Sequence, residues 1–491
     1  MQKDLTQSIH LSNDVLYLEL GRNDWSAETT PELFAQLKQN GLPQAIQILS
    51  QDNTLNCFEN RPVTHVAWRN QNNFFHFHCN AEINRQKQRN ELFAEEVISG
   101  AYRGFYGTRI TDIVSVGIGG SHLGNALLCD ALKDFHHTQL TPHFLTAPDP
   151  FSLSEVLSKI DPRTTLWIFN SKSFTTYETI TLLETIKAWF LEKHSTEAME
   201  KHFFAVTCQV EQAYAHGFKP EQVFYFDSGV GGRFSLWSSA GLIALLILGP
   251  KHYNQVLAGA HDMDQHFFSS PLETNMPVAL AWLDYYYAHF QGAKARAVIP
   301  YTERLALLPQ YLQQVEMESL GKSFLRNHTF AEQEQGLVVF GGVGPGTQHS
   351  FHQFLYQNNQ LIPIDFIAMK KTKVFQKLQD TQLAQCLAQA KALWEGNAHP
   401  QHGYEKITGR KPSNLIILNE LNPFTLGALL ALYEHKVFVL GELYQINPFD
   451  QFGVEFGKKL LGPILDAFTN LTVTEQLDVI SKKTIQVIKS Q

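Results

Sequence analysis

Hydrophobic and polar positions along this chain fall into two alternating blocks. In the first, from about 105 to 250, short apolar runs at 112–116, 164–169, 203–207 and 223–226 are bounded by Gly- or Ser-rich turns. Runs of that length predict buried strands. Between them 123–132, 178–190 and 235–248 have helical spacing, with Ile180, Leu183, Ile186 and Phe190 as the apolar positions of the second. A second block from about 275 to 470 repeats the alternation, with strands at 295–299, 336–340, 361–367 and 414–418. Its helix over 308–324 carries Gln314, Glu318 and Lys322 at four-residue spacing on one face. A further helix begins near Ser350, and a late one following 446–451 carries Lys458. Residues 1 to about 100 read as mostly helical, with helical spacing at 31–38 and 91–99, and a C-terminal helix follows 472.

Strands alternating with helices predict an α/β fold of parallel sheets with helices on both faces. The chain is expected to form two doubly wound domains, 105–274 and 275–471, with helical extensions at 1–104 and 472–491. In such sheets ligands sit at the carboxyl ends of the strands, and three Gly/Ser turns of the first block would line that edge. The segment 171–176 reads Ser-Lys-Ser-Phe-Thr-Thr, between a strand and a helix. Free N–H groups, the helix dipole, hydroxyls and one ammonium suit a phosphate, although a run of spare N-cap residues accounts equally for that segment taken alone. The turn Gly117-Ile118-Gly119-Gly120-Ser121 breaks the G-x-G-x-x-G dinucleotide pattern, because His122 stands where its third glycine belongs. Gly229-Val230-Gly231-Gly232-Arg233 is the third turn.

Composition narrows the class. A formal charge of −8 with no basic run gives no reason to expect nucleic acid. Five scattered cysteines without C-x-x-C spacing suit reduced thiols. MQKDLTQSIHLSND lacks a signal-peptide core. The most apolar run, 240–248, falls short of the ~20 residues a membrane span needs. These features predict a cytoplasmic protein with no membrane association. His76, His78 and Cys79 offer zinc-type ligands, but three within four residues lack tetrahedral spacing, so alternation in an aromatic segment is the better reading and no metal is expected.

Seven motifs occur in one order: NRPVTHVAWRN at 60–70, then VGIGGSHLG, SKSFTTYET, GGRFSLWSSAGL, MESLGK, GTQHSFHQ and INPFDQFGVEFGK. Together they resemble the glucose-6-phosphate isomerase family, built from two sugar-isomerase (SIS) domains. The resemblance implies that Ser171, Lys172, Ser173, Thr175 and Thr176 surround a sugar phosphate, with Gly120 and Ser121 lining the same pocket. It implies that Glu318 is the base, Gln314 a substrate contact and Arg233 the arginine beside the reacting carbons. His349 and Lys458 would open the sugar ring, and Gln451 would be a further ligand contact. A homodimer is implied as well, with His349 supplied across the interface. Departures from the family pattern are His122 for Asp, Ser173 for Thr, Leu320 for Asn and GPGTQH before His349. Of these, Leu320 bears on how Glu318 is positioned, and Pro345 would stiffen the loop before His349.

Aldose–ketose isomerisation suits this set. One carboxylate beside C1 and C2 can move the proton, a fixed guanidinium can stabilise the enediolate, and a distant phosphate grip can set where the carbons lie. The reaction requires neither metal nor redox cofactor. A non-reacting sugar-phosphate sensor is the rival, disfavoured by the joint presence of Glu318, Arg233, His349 and Lys458.

Overall fold

The computed structural model describes residues 10–24, 30–51, 54–72, 74–75, 77–469 and 477–490. The chain divides into two compact units, 1–448 and 449–491. The first unit holds both sheets. One has five parallel strands, β3 (Asp112–Val116), β4 (Thr141–Leu145), β5 (Thr165–Asn170), β6 (Phe203–Thr207) and β7 (Val223–Tyr225), in the order β4-β3-β5-β6-β7. The chain runs outward from β3 to β4, then crosses back to β5, so the strand order reverses between β3 and β5. That is the topological switch point where α/β sheets bind ligands.

The other sheet repeats this with β8 (Ala295–Pro300), β9 (Val338–Gly341), β10 (Ile364–Lys371) and β11 (Ser413–Glu420), all parallel, reversing between β8 and β10. It is extended by two antiparallel strands from the N-terminal region, β1 (His10–Ser12) and β2 (Leu16–Arg22), β2 pairing with β11. The helical reading of 1–104 passed over them. Leu16, Leu18 and Leu20 are buried on one face of β2, a period of two that marks the strand. Residues 1–9, most of the N-terminal stretch read above as lacking a signal-peptide core, lie outside the described residues, as does His76. Phe75 stands edge-on to Phe77, His261 and Phe268, so the aromatic segment is packed through its rings.

Two helices differ from expectation. In place of 235–248, two 3₁₀ turns (Gly232–Trp237, Ser239–Gly241) lead into a helix Leu242–Ser269. That helix is broken at Gly249, whose φ of 73° is followed by Pro250, a residue with no N–H for the helical ladder. The helix placed over 308–324 starts at Leu308–Leu312 and widens into a π-helix over Gln313–Glu318. It ends by Leu320, so Lys322 lies beyond it and shares no helical face with Gln314 and Glu318.

The helix Pro423–Leu443 is longer and more apolar than the 240–248 run, with a mean hydropathy of 1.3 over its best window. It is long and apolar enough to cross a bilayer, yet 94% of that window is buried inside the protein. Its backbone approaches the helix Leu242–Ser269 closely through Gly259 and Gly427. A Cβ on Gly259 would lie 1.8 Å from Phe424 O, and one on Gly427 2.0 Å from Val256 O.

At its centre Glu434, His435 and Lys436 are fully buried. Buried charges persist only when paired. Arg69 pairs with Glu434 and, at 2.6 Å, with Asp264, which also meets His435 at 2.6 Å. Trp237 and Tyr311 donate to Glu434 at 2.9 and 3.2 Å. On the other side Lys436 meets Asp284 at 2.5 Å, and Arg296 pairs with Asp284, Glu316 and Asp365.

The second unit contains the helices Phe452–Thr469 and Val479–Lys489, the latter capped by Asp478, which accepts from Ile480 N and Ser481 N.

Arg69→Ala leaves Asp264 and Glu434 without their cation, and urea denaturation is expected to show a loss of about 3–5 kcal/mol. Burial, opposed by Arg69, pushes the Glu434 carboxyl from 4.5 up to about 7. The folded state therefore binds that proton more tightly than the unfolded one, and the group's stabilising contribution falls as pH rises from about 4.5 to about 7. Glu434→Gln removes this component, so the stability of wild type relative to the variant should decline between pH 5 and pH 7, as ~pH-stepped urea titrations will register.

Candidate active site

The site is built around the turn that leaves β3. Gly119 has φ +58°, and Gly120 packs so tightly on the next segment that a Cβ there would lie 2.1 Å from the carbonyl of Gly232. Only glycine permits that approach. Asn125 and Asn170 both donate to the carbonyls of Ser121 and Ala240, at 2.8–3.3 Å, and pin the turn in place. Asn170 ends β5, so this same amide ties the turn to the loop that follows it. A polar residue closing the apolar run TLWIFN was the signal for it in the sequence.

In that loop Ser171 is buried, and its Oγ lies 3.0 Å from Thr176 Oγ1 and accepts from Phe174 N at 3.1 Å. Phe174 adopts φ 51° and sinks its ring into the first core, which anchors the loop's crest. Ser173 is exposed and accepts from Thr175 Oγ1 at 2.9 Å. Thr176 is the N-cap residue of the helix Tyr177–Leu191, and its side chain makes no capping bond. Orphan N–H groups of a helical first turn favour an anion. The Lys172 ammonium donates to Ser228 O at 2.9 Å, and burial holds it below the ordinary lysine value. The Ser228 loop is held in turn by Asp227, which accepts from Thr64 and from Trp68 at 2.5 and 2.8 Å. The 60–70 motif thus supports the site from behind.

Facing the turn is the π-helical segment. Gln314 lies against Gly119, its Nε2 3.0 Å from where a Cβ would stand, and donates to Glu318 Oε2 at 2.9 Å. Arg233 is buried, with Nη1 3.7 Å from Glu318 Oε1. Its Nε donates to Ser319 Oγ at 2.6 Å and its Nη2 to Pro448 O at 2.5 Å. Ser319, fully buried, was not singled out in the sequence, although it stands beside Glu318 in MESLGK. The turn with Gly120 and Ser121, the 171–176 loop, Arg233, Gln314 and Glu318 thus form one continuous chain of contacts.

His349 is the C-cap residue of a short helix, Gly344–Gln348, and is exposed; its ring has no hydrogen-bond partner among the described residues. Pro345 occupies the first turn of that helix, where the missing N–H costs nothing, and the helix expected near Ser350 is His352–Gln357. Gln451 and Lys458 belong to the second unit, where Lys458 is exposed and meets Glu455 at 2.7 Å. His122 stacks edge-on to Phe144, and burial pushes its ring down to about 4, so a neutral group stands where a carboxylate is usual. Leu320 is buried against Gly336, where it fills space in place of a polar amide.

Fold and site together define a class, the sugar-isomerase type of α/β protein with two doubly wound sheets. The sequence matches the model of the phosphoglucose isomerase family over residues 19–485. It is 38% identical to the glucose-6-phosphate isomerase of Shewanella halifaxensis, covering 96% of this chain and 91% of that one. It is 37% identical to the same enzyme of Francisella philomiragia, over 99% and 95% of the two chains. The crystal structure of a glucose-6-phosphate isomerase from Chlamydia trachomatis superposes with a TM-score of 0.85 at 26% identity, covering 98% of this chain and 92% of that one. The chain belongs to the phosphoglucose isomerase family.

Ser319→Ala removes a hydrogen bond to a charged group, worth about 1.5–3 kcal/mol. Steady-state kinetics should show turnover of fructose 6-phosphate reduced about tenfold or more, from an Arg233 less firmly held once its bond to Ser319 is gone.

Proposed function

We propose that Glu318 is the base, and Arg233 the electrostatic partner, of the aldose–ketose isomerisation that this family carries out, the interconversion of glucose 6-phosphate and fructose 6-phosphate. The observation that carries this reading is the Gln314 bridge. One side chain touches the anion-receptive turn at Gly119 and the carboxylate of Glu318. A six-carbon sugar phosphate can therefore be gripped at one end and deprotonated at the other.

The phosphate is received by the side chains of Ser171, Ser173, Thr175 and Thr176 and the first-turn N–H groups of Tyr177–Leu191, with Gly120 and Ser121 beside them. Lys172 adds positive charge from behind the loop. With the chain held there, the C1–C2 unit meets Glu318, which removes the proton from one carbon and returns it to the other. Negative charge then develops on the oxygens of a cis-enediolate. Arg233, held by Ser319 and Pro448, is already in place to stabilise it and needs no reorganisation. Glu318 on a helix and Arg233 on a packed 3₁₀ segment both sit on rigid elements, which suits a base that must lie alongside two carbons.

His349 and Lys458 act earlier, opening the ring by moving protons at the ring oxygen and the C1 hydroxyl, with Gln451 as a further contact. His349 works in the site of a second copy of the chain, so the active form is a homodimer. Its exposed, unpartnered ring supports this assignment. The functional domains are 105–274 and 275–471, extended by 1–104 and 472–491, and the enzyme works in the cytoplasm without a cofactor.

Glu318→Gln should lower turnover about 10²–10⁴-fold in a coupled assay of fructose 6-phosphate conversion, the range expected for loss of a general base. Unchanged turnover removes Glu318 from the mechanism.

A further inference from the structure

The side chain of Glu316 lies on the opposite side of the π-helical segment from Glu318. It is buried between the second sheet and the helix Pro423–Leu443, paired with Arg296 of β8 and 3.6 Å from Lys436 Nζ. One turn earlier, Tyr311 OH donates to Glu434 at 3.2 Å. A π-turn has poorer internal geometry than an α-helix and is found mainly at functional sites. This one is gripped from behind at two successive turns by the same buried helix.

The charges around Glu316 are not in balance. Asp284, Glu316 and Asp365 face Arg296 and Lys436, three carboxyl groups against two cations, and all five are buried. Tyr433 and Asn414 donate to Asp365 at 2.9 and 2.7 Å. Replacing Glu316 by glutamine would leave two carboxylates for two cations. The same count holds for Asp284 and Asp365, so what sets Glu316 apart is that, of the three, it alone stands on the π-helical segment.

We propose that Glu316 is a positioning residue: its ion pairs to Arg296 and Lys436 lock the rotation of the π-turn and thereby aim Gln314 and the Glu318 carboxylate at the substrate carbons. A twist of this segment about its axis moves Glu318 relative to the guanidinium of Arg233, whose Nη2 is tied to Pro448 O outside the segment. The inference rests on the assignment of Glu318 as base. It adds that the position of the base is set from the far side of its own helix.

The test compares Glu316→Gln with Asp284→Asn, which makes the same charge change in the same cluster without touching the π-turn. Both are assayed with fructose 6-phosphate in D2O, reading kcat, KM and the fraction of product carrying solvent deuterium. A loosely held base is expected to lower kcat about 10- to 100-fold, the effect of a displacement near 1 Å. KM should stay within about threefold, since the phosphate grip is untouched. The deuterium fraction should rise, because a proton held by a mobile carboxylate has time to exchange before it is returned. Asp284→Asn should change none of the three. Should Glu316→Gln fail to fold, Glu316→Asp keeps the charge and shortens the reach by one methylene, and the same three readings decide. Wild-type kcat and deuterium fraction in the Glu316 variants, or an equal loss in Asp284→Asn, overturns the proposal. Glu318→Gln run alongside separates the two levels: if it retains activity, the assignment of the base fails, whatever Glu316 does.

Discussion

Burial of charge in the helix Pro423–Leu443 constrains the rest of the first unit. Glu434, His435 and Lys436 occupy three consecutive positions of a helix with almost no access to water. Unpaired, any of the ionised groups would cost several kcal/mol. Counter-groups must come from other elements, and they come from both halves of the chain. Arg69 and Asp264 answer Glu434 and His435, while Asp284 and Glu316 face Lys436. Unlike apolar contact, these pairings are directional, and they fix how the helix is rotated and how far it is inserted. Glu434 illustrates the consequence, accepting from Trp237 and from Tyr311 at once. Trp237 lies in the 3₁₀ segment that carries Arg233, and Tyr311 in the helix that carries Glu318. One buried carboxylate thereby holds the two elements that bring the arginine and the base together.

The front of the site is organised by the absence of side chains. Gly120 against Gly232 lets the turn after β3 lie directly on the segment before Arg233, and Gly119 leaves room for Gln314. Two asparagines then pin the turn through the carbonyls of Ser121 and Ala240. The turn is accordingly held in place by the protein's own contacts. The back of the site is held by ion pairs and the front by glycine contacts, with Gln314 and Glu318 between.

Departures from the family pattern take ordinary physical forms. Leu320 fills a packed position against Gly336, so the lost amide is exchanged for apolar contact. Pro345 begins a helix, where it is favoured, rather than stiffening an open loop. His122 is the larger change, because a ring that burial keeps neutral stands at the entrance of the helix Leu123–Ala131.

The sequence by itself determined the alternation of strand, turn and helix, and with it the parallel sheets and the edge to which their glycine turns come. Buried parallel strands are continuous apolar runs, and their turns need glycine and hydroxyl residues, so both are written locally. The serine and threonine side chains of 171–176, Arg233, Gln314 and Glu318 were singled out because each lies within, or one turn from, a short motif that resembles the family's, and the roles proposed for them rest on that resemblance together with the contacts they make. Tertiary structure alone decided which of these groups touch. It decided that β2 joins β11 across nearly 400 residues of chain, a pairing in which Leu415 meets Glu19. It decided that Leu308 begins a helix that widens to a π-turn, since a change of one residue in hydrogen-bond spacing leaves the residue types unaltered. The partners of Arg69, Arg296 and Lys436 lie on separate elements far apart in sequence, and only the closed fold brings them within ion-pair distance.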